Sequence, residues 1–320
     1  MKPTVYALIG AALIAPSAFA APQVQTQGQK IVTPEATIIT VPRNAARSVY
    51  WTPERLRQAT PMPAPKMSEN DVYYFKNAKQ QTRWNTTSQT IEPVFPNAPL
   101  SGGKQQGVPT AANMAIMPYS TAGKLFFVNS RGEAYSCSAQ FVGNTRTLLT
   151  AAHCIVDNVS GMAFSNFEFR QNYPNNNGQQ GIQSYCLGIN PAWVNRSHNM
   201  AFNVDYGFMR TTSESRGGAL GLQSNVPYPN LTALGYPGNF GFGETMQTVD
   251  GTKGDISNNT VRMDNNPMTF GASGGAWTTS NYAVGVNSHI SSAFPTSQFS
   301  PLFDSAAMDV YNRMAQYCPM

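Results

Sequence analysis

Gly271-Ala272-Ser273-Gly274-Gly275 is the stretch on which the reading of this chain turns. It sets a serine among glycines. A serine hydroxyl is a weak nucleophile near neutral pH, so a chain that attacks with one must also supply a base, a group that orients the base, and donors for the oxyanion. With no side chain at Gly271, the backbone can turn so that the N–H groups of Gly271 and Ser273 aim at one point, and Gly274 and Gly275 permit close approach. Small-residue turns holding a serine are common as surface loops, so the partners decide the reading.

The chain has only three histidines, His153, His198 and His289. His153 closes Leu148-Leu149-Thr150-Ala151-Ala152-His153-Cys154, whose apolar and small residues suggest a buried strand end that would hold an imidazole firmly. An acid, Asp205, lies in a second apolar, strand-like run, Asn203-Val204-Asp205-Tyr206-Gly207-Phe208-Met209. Chain order is therefore base, acid, nucleophile.

Thr150-Ala151-Ala152-His153-Cys154 together with Gly271-x-Ser273-Gly274-Gly275 resembles the chymotrypsin-like (trypsin-fold) serine peptidases. Leu234-Gly235-Tyr236-Pro237-Gly238, Lys253-Gly254-Asp255-Ile256 and Val284-Gly285-Val286 resemble the bacterial glutamyl endopeptidase branch, and the likeness covers Gly123 to Cys318. It implies an all-β fold of two Greek-key antiparallel barrels, about 112–215 and 216–302, then a C-terminal helix at about 304–317, with the site in the cleft between the barrels. The implied triad is His153, Asp205 and Ser273, with the N–H groups of Gly271 and Ser273 as oxyanion hole. Ser288 resembles the family serine that hydrogen-bonds the acid, and an ordinary strand serine is the alternative. No cofactor and no metal are implied.

The residues support the β reading independently. From Gly123 on, short apolar or alternating runs are separated by Gly, Asn, Pro and Ser, and helical spacing returns only at Asp304 to Tyr317. Candidate strands include Lys124–Val128, Ala134–Val142, Thr147–Ala151, Ala163–Phe169, Asp205–Arg210, Leu231–Leu234, Gly243–Val249, Thr260–Met263, Gly275–Trp277 and Ala283–Val286.

Residues 1–20 combine Lys2, an apolar core from Val5 to Ile14, and Ala18-Phe19-Ala20 before Ala21, the pattern of a cleaved signal peptide. The core is too short for a membrane anchor, which needs about 20 apolar residues. The expectation is a secreted or periplasmic protein without a membrane span. In an oxidising compartment the four cysteines, Cys137, Cys154, Cys186 and Cys318, read as two disulfides. Sequence alone allows three pairings. The family resemblance implies Cys137 with Cys154, which leaves Cys186 for Cys318.

Residues 21–111 differ in character. They are rich in Pro, Gln, Thr and Asn and carry the excess positive charge of a chain of pI ≈ 9.0, whereas 112–320 are nearly balanced. This segment is expected to be low in structure. It is a propeptide, an inhibitory segment or a basic arm, and a similar segment precedes the peptidase domain in related exported enzymes, which favours the first. Thr52-Pro53-Glu54 starts a short helix, and Ser101–Gly107 is a linker.

Two positions depart from the family. Ala272 stands where many members carry an acid that captures a new N-terminus, so control must come from removing the N-terminal segment. Pro267 stands where cleavage after Lys or Arg would call for aspartate. With Met268, Asn287, Ser288 and His289 as the other pocket candidates, cleavage is expected after Glu, Gln or a medium apolar residue. His198 reads as a solvated loop histidine. His289 lies two residues beyond the position where glutamyl endopeptidases place a carboxylate-reading histidine, and is either that group shifted or a pocket wall. The expected partners are protein or peptide substrates and the chain's own N-terminal segment. Nucleic acid is not indicated, since no aromatic platform is interleaved with basic residues. The functional reading is a serine endopeptidase. The alternatives are an inactive binding or adhesion protein on the same fold, or an esterase using the same triad.

Overall fold

The computed structural model describes residues 28–41, 50–77, 88–95, 106–174, 181–194, 201–225 and 229–319. The expected leader, most of the expected linker and His198 lie outside them. The N-terminal segment supplies β1 (Lys30–Val32), β2 (Thr37–Thr40), α1 (Pro53–Gln58), β3 (Thr60–Pro61), α2 (Glu69–Asn77), β4 (Thr90–Ile91) and β5 (Thr110–Ala111). The first barrel follows as β6 (Ala122–Val128), β7 (Ala134–Phe141), β8 (Thr147–Thr150), β9 (Ser165–Gln171), β10 (Ile182–Ile189) and β11 (Gly207–Thr211). The second is built from β12 (Gly221–Gln223), β13 (Asn230–Gly235), β14 (Gln247–Ser257), β15 (Thr260–Asp264), β16 (Ala276–Thr279), β17 (Tyr282–Val286), β18 (His289–Ile290) and β19 (Ser297–Pro301). The chain then forms α3 (Ser305–Tyr317).

Six antiparallel strands close the first barrel, running β9-β6-β7-β8-β11-β10 and back to β9. Its interior holds Leu125, Phe127, Phe141, Leu149, Phe169 and Met209, all essentially without solvent exposure. The second sheet runs β18-β19-β15-β14-β13-β16-β17-β12, and its far ends meet where Val286 N–H donates to Ser300 Oγ and Ser288 N–H to the Phe299 carbonyl. A smaller apolar core, including Leu231, Val249, Met263 and Trp277, fills it. This is the expected double-barrel architecture.

Local differences have local causes. The strand expected from Gly243 starts instead at Gln247, because Gly241–Gly243 forms a helical turn, and continues to Ser257 as a long hairpin arm. β10 and β19 are absent from the sequence-based expectation. Their sequences, IQSYCLGI and SQFSP, mix polar with apolar residues because each packs against elements on both faces. α3 is capped by Asp304, whose Oδ1 accepts the N–H groups of Ala306 and Ala307, and it buries Met308, Tyr311 and Met314. The Cys186–Cys318 disulfide fastens its end to β10.

The N-terminal segment is sparse in regular structure, as expected, but what it has is woven into the barrels. β2 extends the first sheet by pairing with β10, β4 pairs with β12, and β5 pairs with β14. Ile38 and Ile39 enter the first core. α1 begins as expected, with Thr52 Oγ1 accepting the Arg55 N–H and proline in the first turn. Among the described residues, no helix is long and apolar enough to cross a membrane.

Candidate active site

His153 stands in a single helical turn, Ala152–Cys154, immediately after β8. The Cys137–Cys154 disulfide ties that turn back to β7. Asp205, expected on a strand, instead closes the turn Phe202–Val204, just before β11. The bend lets its carboxylate reach His153 twice. Oδ1 accepts the His153 backbone N–H at 2.9 Å, and Oδ2 meets Nδ1 at 2.7 Å. Ser288 Oγ donates to the same Oδ2 at 2.6 Å, so the expected serine-to-acid bond is present. Asp205 has no exposure. Burial pushes its carboxyl upward, but the His153 charge and the hydrogen bonds from His153 and Ser288 outweigh that and hold it below the ordinary range.

The Ser273 loop reaches the same place from the second barrel. Gly271 and Gly274 both have φ of +82°, and a Cβ on Gly274 would lie 2.1 Å from Thr150 Oγ1 and 2.4 Å from the Ser138 carbonyl, so only glycine fits. Strand β7 grips the loop. Ser138 N–H donates to the Ser273 carbonyl and Ser138 Oγ to the Gly271 carbonyl, both at 2.8 Å. Gln140 Nε2 donates to the Gly274 carbonyl at 3.0 Å, while its Oε1 accepts the Ala276 N–H at 2.8 Å. Ser138 and Gln140 escape the sequence reading. Their only signal is a polar alternation, Ser136, Ser138 and Gln140, along β7, and both are buried and bonded across the barrels.

The pocket candidates fare differently. Asn287 is a brace of the loop and does not line a pocket: its Nδ2 donates to the Leu234 and Ala272 carbonyls, and its Oδ1 accepts from Trp277 Nε1 and Asn266 Nδ2. Ser288 is engaged by Asp205. Met268 packs in the second core, and the half-buried Pro267 accepts from Asn239 through its carbonyl. His289 has no exposure and is stacked between Phe202, at 4.1 Å, and Phe299, at 5.2 Å. Its Nδ1 bonds Ser288 Oγ at 2.9 Å. Gln298, which no motif in the sequence marks, donates to the Met268 carbonyl and keeps a buried Oε1 without a partner.

Ser273 and His153 are only 2 % and 4 % exposed, and neither Ser273 Oγ nor His153 Nε2 makes a hydrogen bond. The N-terminal segment lies against the Ser273 loop, with Pro61 beside Gly271. The Gly271 N–H, expected to serve an oxyanion, donates at 2.9 Å to the carbonyl of Met62. Cys137, His153 and Cys154 bring three potential metal-ligand atoms within 4.8 Å of one another, but the two sulfurs are joined to each other.

No protein-family profile and no curated protein sequence matches the chain. Solved structures do. A thermostable serine protease, AL20, from an extremophilic microorganism is 26% identical with a TM-score of 0.54, over 61% of this chain and 97% of that one. The protease Anisep from Arthrobacter nicotinovorans is 25% identical with a TM-score of 0.55, over 65% and 100%. A Glu endopeptidase shares the fold at 16% identity and a TM-score of 0.54, over 64% and 95%. The chain thus has the chymotrypsin fold and is similar to serine proteases that share it.

Proposed function

We propose that the protein is an exported serine endopeptidase that cuts peptide bonds through Ser273, His153 and Asp205. The observation that carries this reading is the two-point seat of His153 on Asp205, facing a nucleophile loop that β7 and Asn287 hold rigid. Nδ1 bonded to a buried carboxylate fixes the tautomer that leaves Nε2 free as a base. His153 takes the Ser273 proton as Oγ attacks the substrate carbonyl, and returns it to the leaving amine. Asp205 steadies the imidazolium. The N–H groups of Gly271 and Ser273 hold the oxyanion once the Met62 carbonyl has left. Water then releases the acyl group by the same steps in reverse.

Export is supported by the leader-like residues 1–20 and by two disulfides. The N-terminal segment acts as an intramolecular inhibitor, which suits a chain with Ala272 in place of an activating acid. The pocket reading narrows. Asp264, the nearest acid to it in sequence, is bonded to Arg262 and Ser297, so basic side chains find no free carboxylate there.

Labelling with a fluorophosphonate after release of the N-terminal segment by an added protease tests the assignment. Label should appear on Ser273 and vanish in Ser273→Ala, and casein hydrolysis should fall to a remnant of about 10³ to 10⁴ over the uncatalysed rate. A Ser273→Ala protein that still cuts or labels at the parental rate would refute it.

A further inference from the structure

Residues 60–67 read Thr-Pro-Met-Pro-Ala-Pro-Lys-Met, and they cross the whole cleft in extended form. At one end β3 pairs with β7 in parallel, Thr60 opposite Tyr135 and Pro61 opposite Ser136, and the Met62 N–H donates to the Ser136 carbonyl at 2.8 Å. In the middle the Met62 carbonyl receives the Gly271 N–H. At the other end the Ile290 N–H donates to the Pro65 carbonyl, and the Met67 N–H returns a bond to the Ile290 carbonyl, again in parallel register. The segment is anchored beyond Ile290 by α2. Ser68 and Asp71 cap that helix reciprocally, and Met67 and Phe75 pack against Phe202, Phe294 and Phe299.

Direction matters to the chemistry. A cleavable peptide must place its leaving nitrogen on the His153 side, because His153 supplies the proton without which the C–N bond cannot break. That side is marked by β7, where Cys137, next to Ser136, is bridged to Cys154, next to His153. A substrate therefore enters with its acyl, N-terminal half along Ile290 and its amine, C-terminal half along Ser136. The segment runs the opposite way. The nitrogen attached to the Met62 carbonyl is that of Pro63, and the chain leaves it toward Ile290, away from His153. Attack by Ser273 Oγ on this carbonyl would form a C–O bond with no proton at hand for the departing nitrogen, so the adduct would collapse by expelling Ser273 again. The prolines also make Thr60–Pro61, Met62–Pro63 and Ala64–Pro65 bonds to ring nitrogens and hold the strand extended at low entropic cost.

We infer that residues 60–67 are a reversed stopper: an extended proline-rich strand that takes the substrate's main-chain hydrogen bonds at both ends of the cleft and the oxyanion donor in the middle, while its polarity prevents cleavage. The cleft is thus an interaction surface whose fitted partner is this strand with its α2 anchor. The inference rests on Ser273 being the nucleophile.

The test uses the full chain and the fluorophosphonate. The parent should label slowly, and Phe75→Asp, which loosens the anchor without touching the catalytic groups, should label at Ser273 at least about tenfold faster. A second full-length variant, Pro63→Ala with Pro65→Ala, separates polarity from proline chemistry. Intact-mass analysis after prolonged incubation should find its residues 60–67 uncut. A cut on the C-terminal side of Met62 in that double variant, fast labelling of the parent, or no gain with Phe75→Asp would each overturn the stopper. Parent digested with thermolysin keeps the two readings apart. If it labels at Ser273 while Phe75→Asp does not, the stopper fails alone; if neither labels, the nucleophile assignment has failed and the stopper falls with it.

Discussion

Two histidines flank Asp205, and their surroundings give them opposite characters. His153 touches the carboxylate directly through Nδ1 and keeps Nε2 unbonded. His289 reaches it only through Ser288 Oγ, with an aromatic ring on each face. Burial pushes His289 down to about 3; the attraction of Asp205 opposes this and the repulsion of His153 adds to it. It is therefore neutral at physiological pH. Since Ser288 gives its proton to Asp205, His289 must donate from Nδ1, which makes it a neutral donor at the end of a short hydrogen-bonded chain. One residue type serves as base candidate on one side of a carboxylate and as inert packing on the other, and the environment sets the difference.

The largest expected effect breaks this comparison on the His153 side. With the stopper released, Asp205→Asn should lower kcat about 10⁴-fold by favouring the wrong tautomer. His289→Phe should stay within about tenfold of the parent, since the ring is held by stacking. Ester-hydrolysis kinetics of the two variants would decide, and equal losses would mean that His289 also serves the chemistry. Next in size is the bridge that stiffens only the His153 side. Cys137→Ser with Cys154→Ser opens a loop of sequence separation 17 and should lower unfolding stability by about 3 kcal/mol, read from urea midpoints.

Ser288→Ala sharpens the contrast by cutting the link between the two histidines. It strands the buried His289 donor and removes one hydrogen bond from a charged acceptor, a cost of about 1.5–3 kcal/mol in urea unfolding. The smallest effect is a slope. Unfolded His289 takes a proton near 6.5 and the folded form only near about 3, so below 6.5 the unfolded state binds more protons and stability falls as pH falls. Asp205, held below 3.8, adds a loss in the same direction at still lower pH. His289→Phe should flatten the upper part of this limb, between 6.5 and 3.8, in melting temperatures taken across pH.

The proposed triad of His153, Asp205 and Ser273 is legible in the sequence because proton transfer and attack demand particular side chains, and such residues stand out when histidines are few. Asn287 is legible as a position near the site but not as a brace, since an amide that lines a pocket and one that knits a loop are the same letter. The contact at Gly271 is hidden for a deeper reason. Met62 acts through its backbone carbonyl, which every residue possesses, and only the prolines around it mark the stretch as unusual. The all-β character follows from the spacing of apolar runs, and the two barrels from the family resemblance. β10 does not, because a strand covered by β2 on one edge and approached by α3 at Gly188 carries no clean alternation.

β10 also governs the timing of assembly. Its residues Cys186–Ile189 pair with Thr37–Thr40, made long before them, and Cys186 is joined to Cys318, made 132 residues later. Thr37-Ile38-Ile39-Thr40 can pair at once with Lys30–Val32 on one edge, but its other edge, apolar and β-forming, must wait until β10 has been made. The chain therefore gains from a holdase or from transit in an unfolded state, and it should be most prone to misassociation before Cys186 emerges. Once both partners have arrived, the same strand acts as a clasp: a single nick in the intervening chain would leave the fragments bound to one another, so freeing the cleft takes digestion of residues 60–67 themselves.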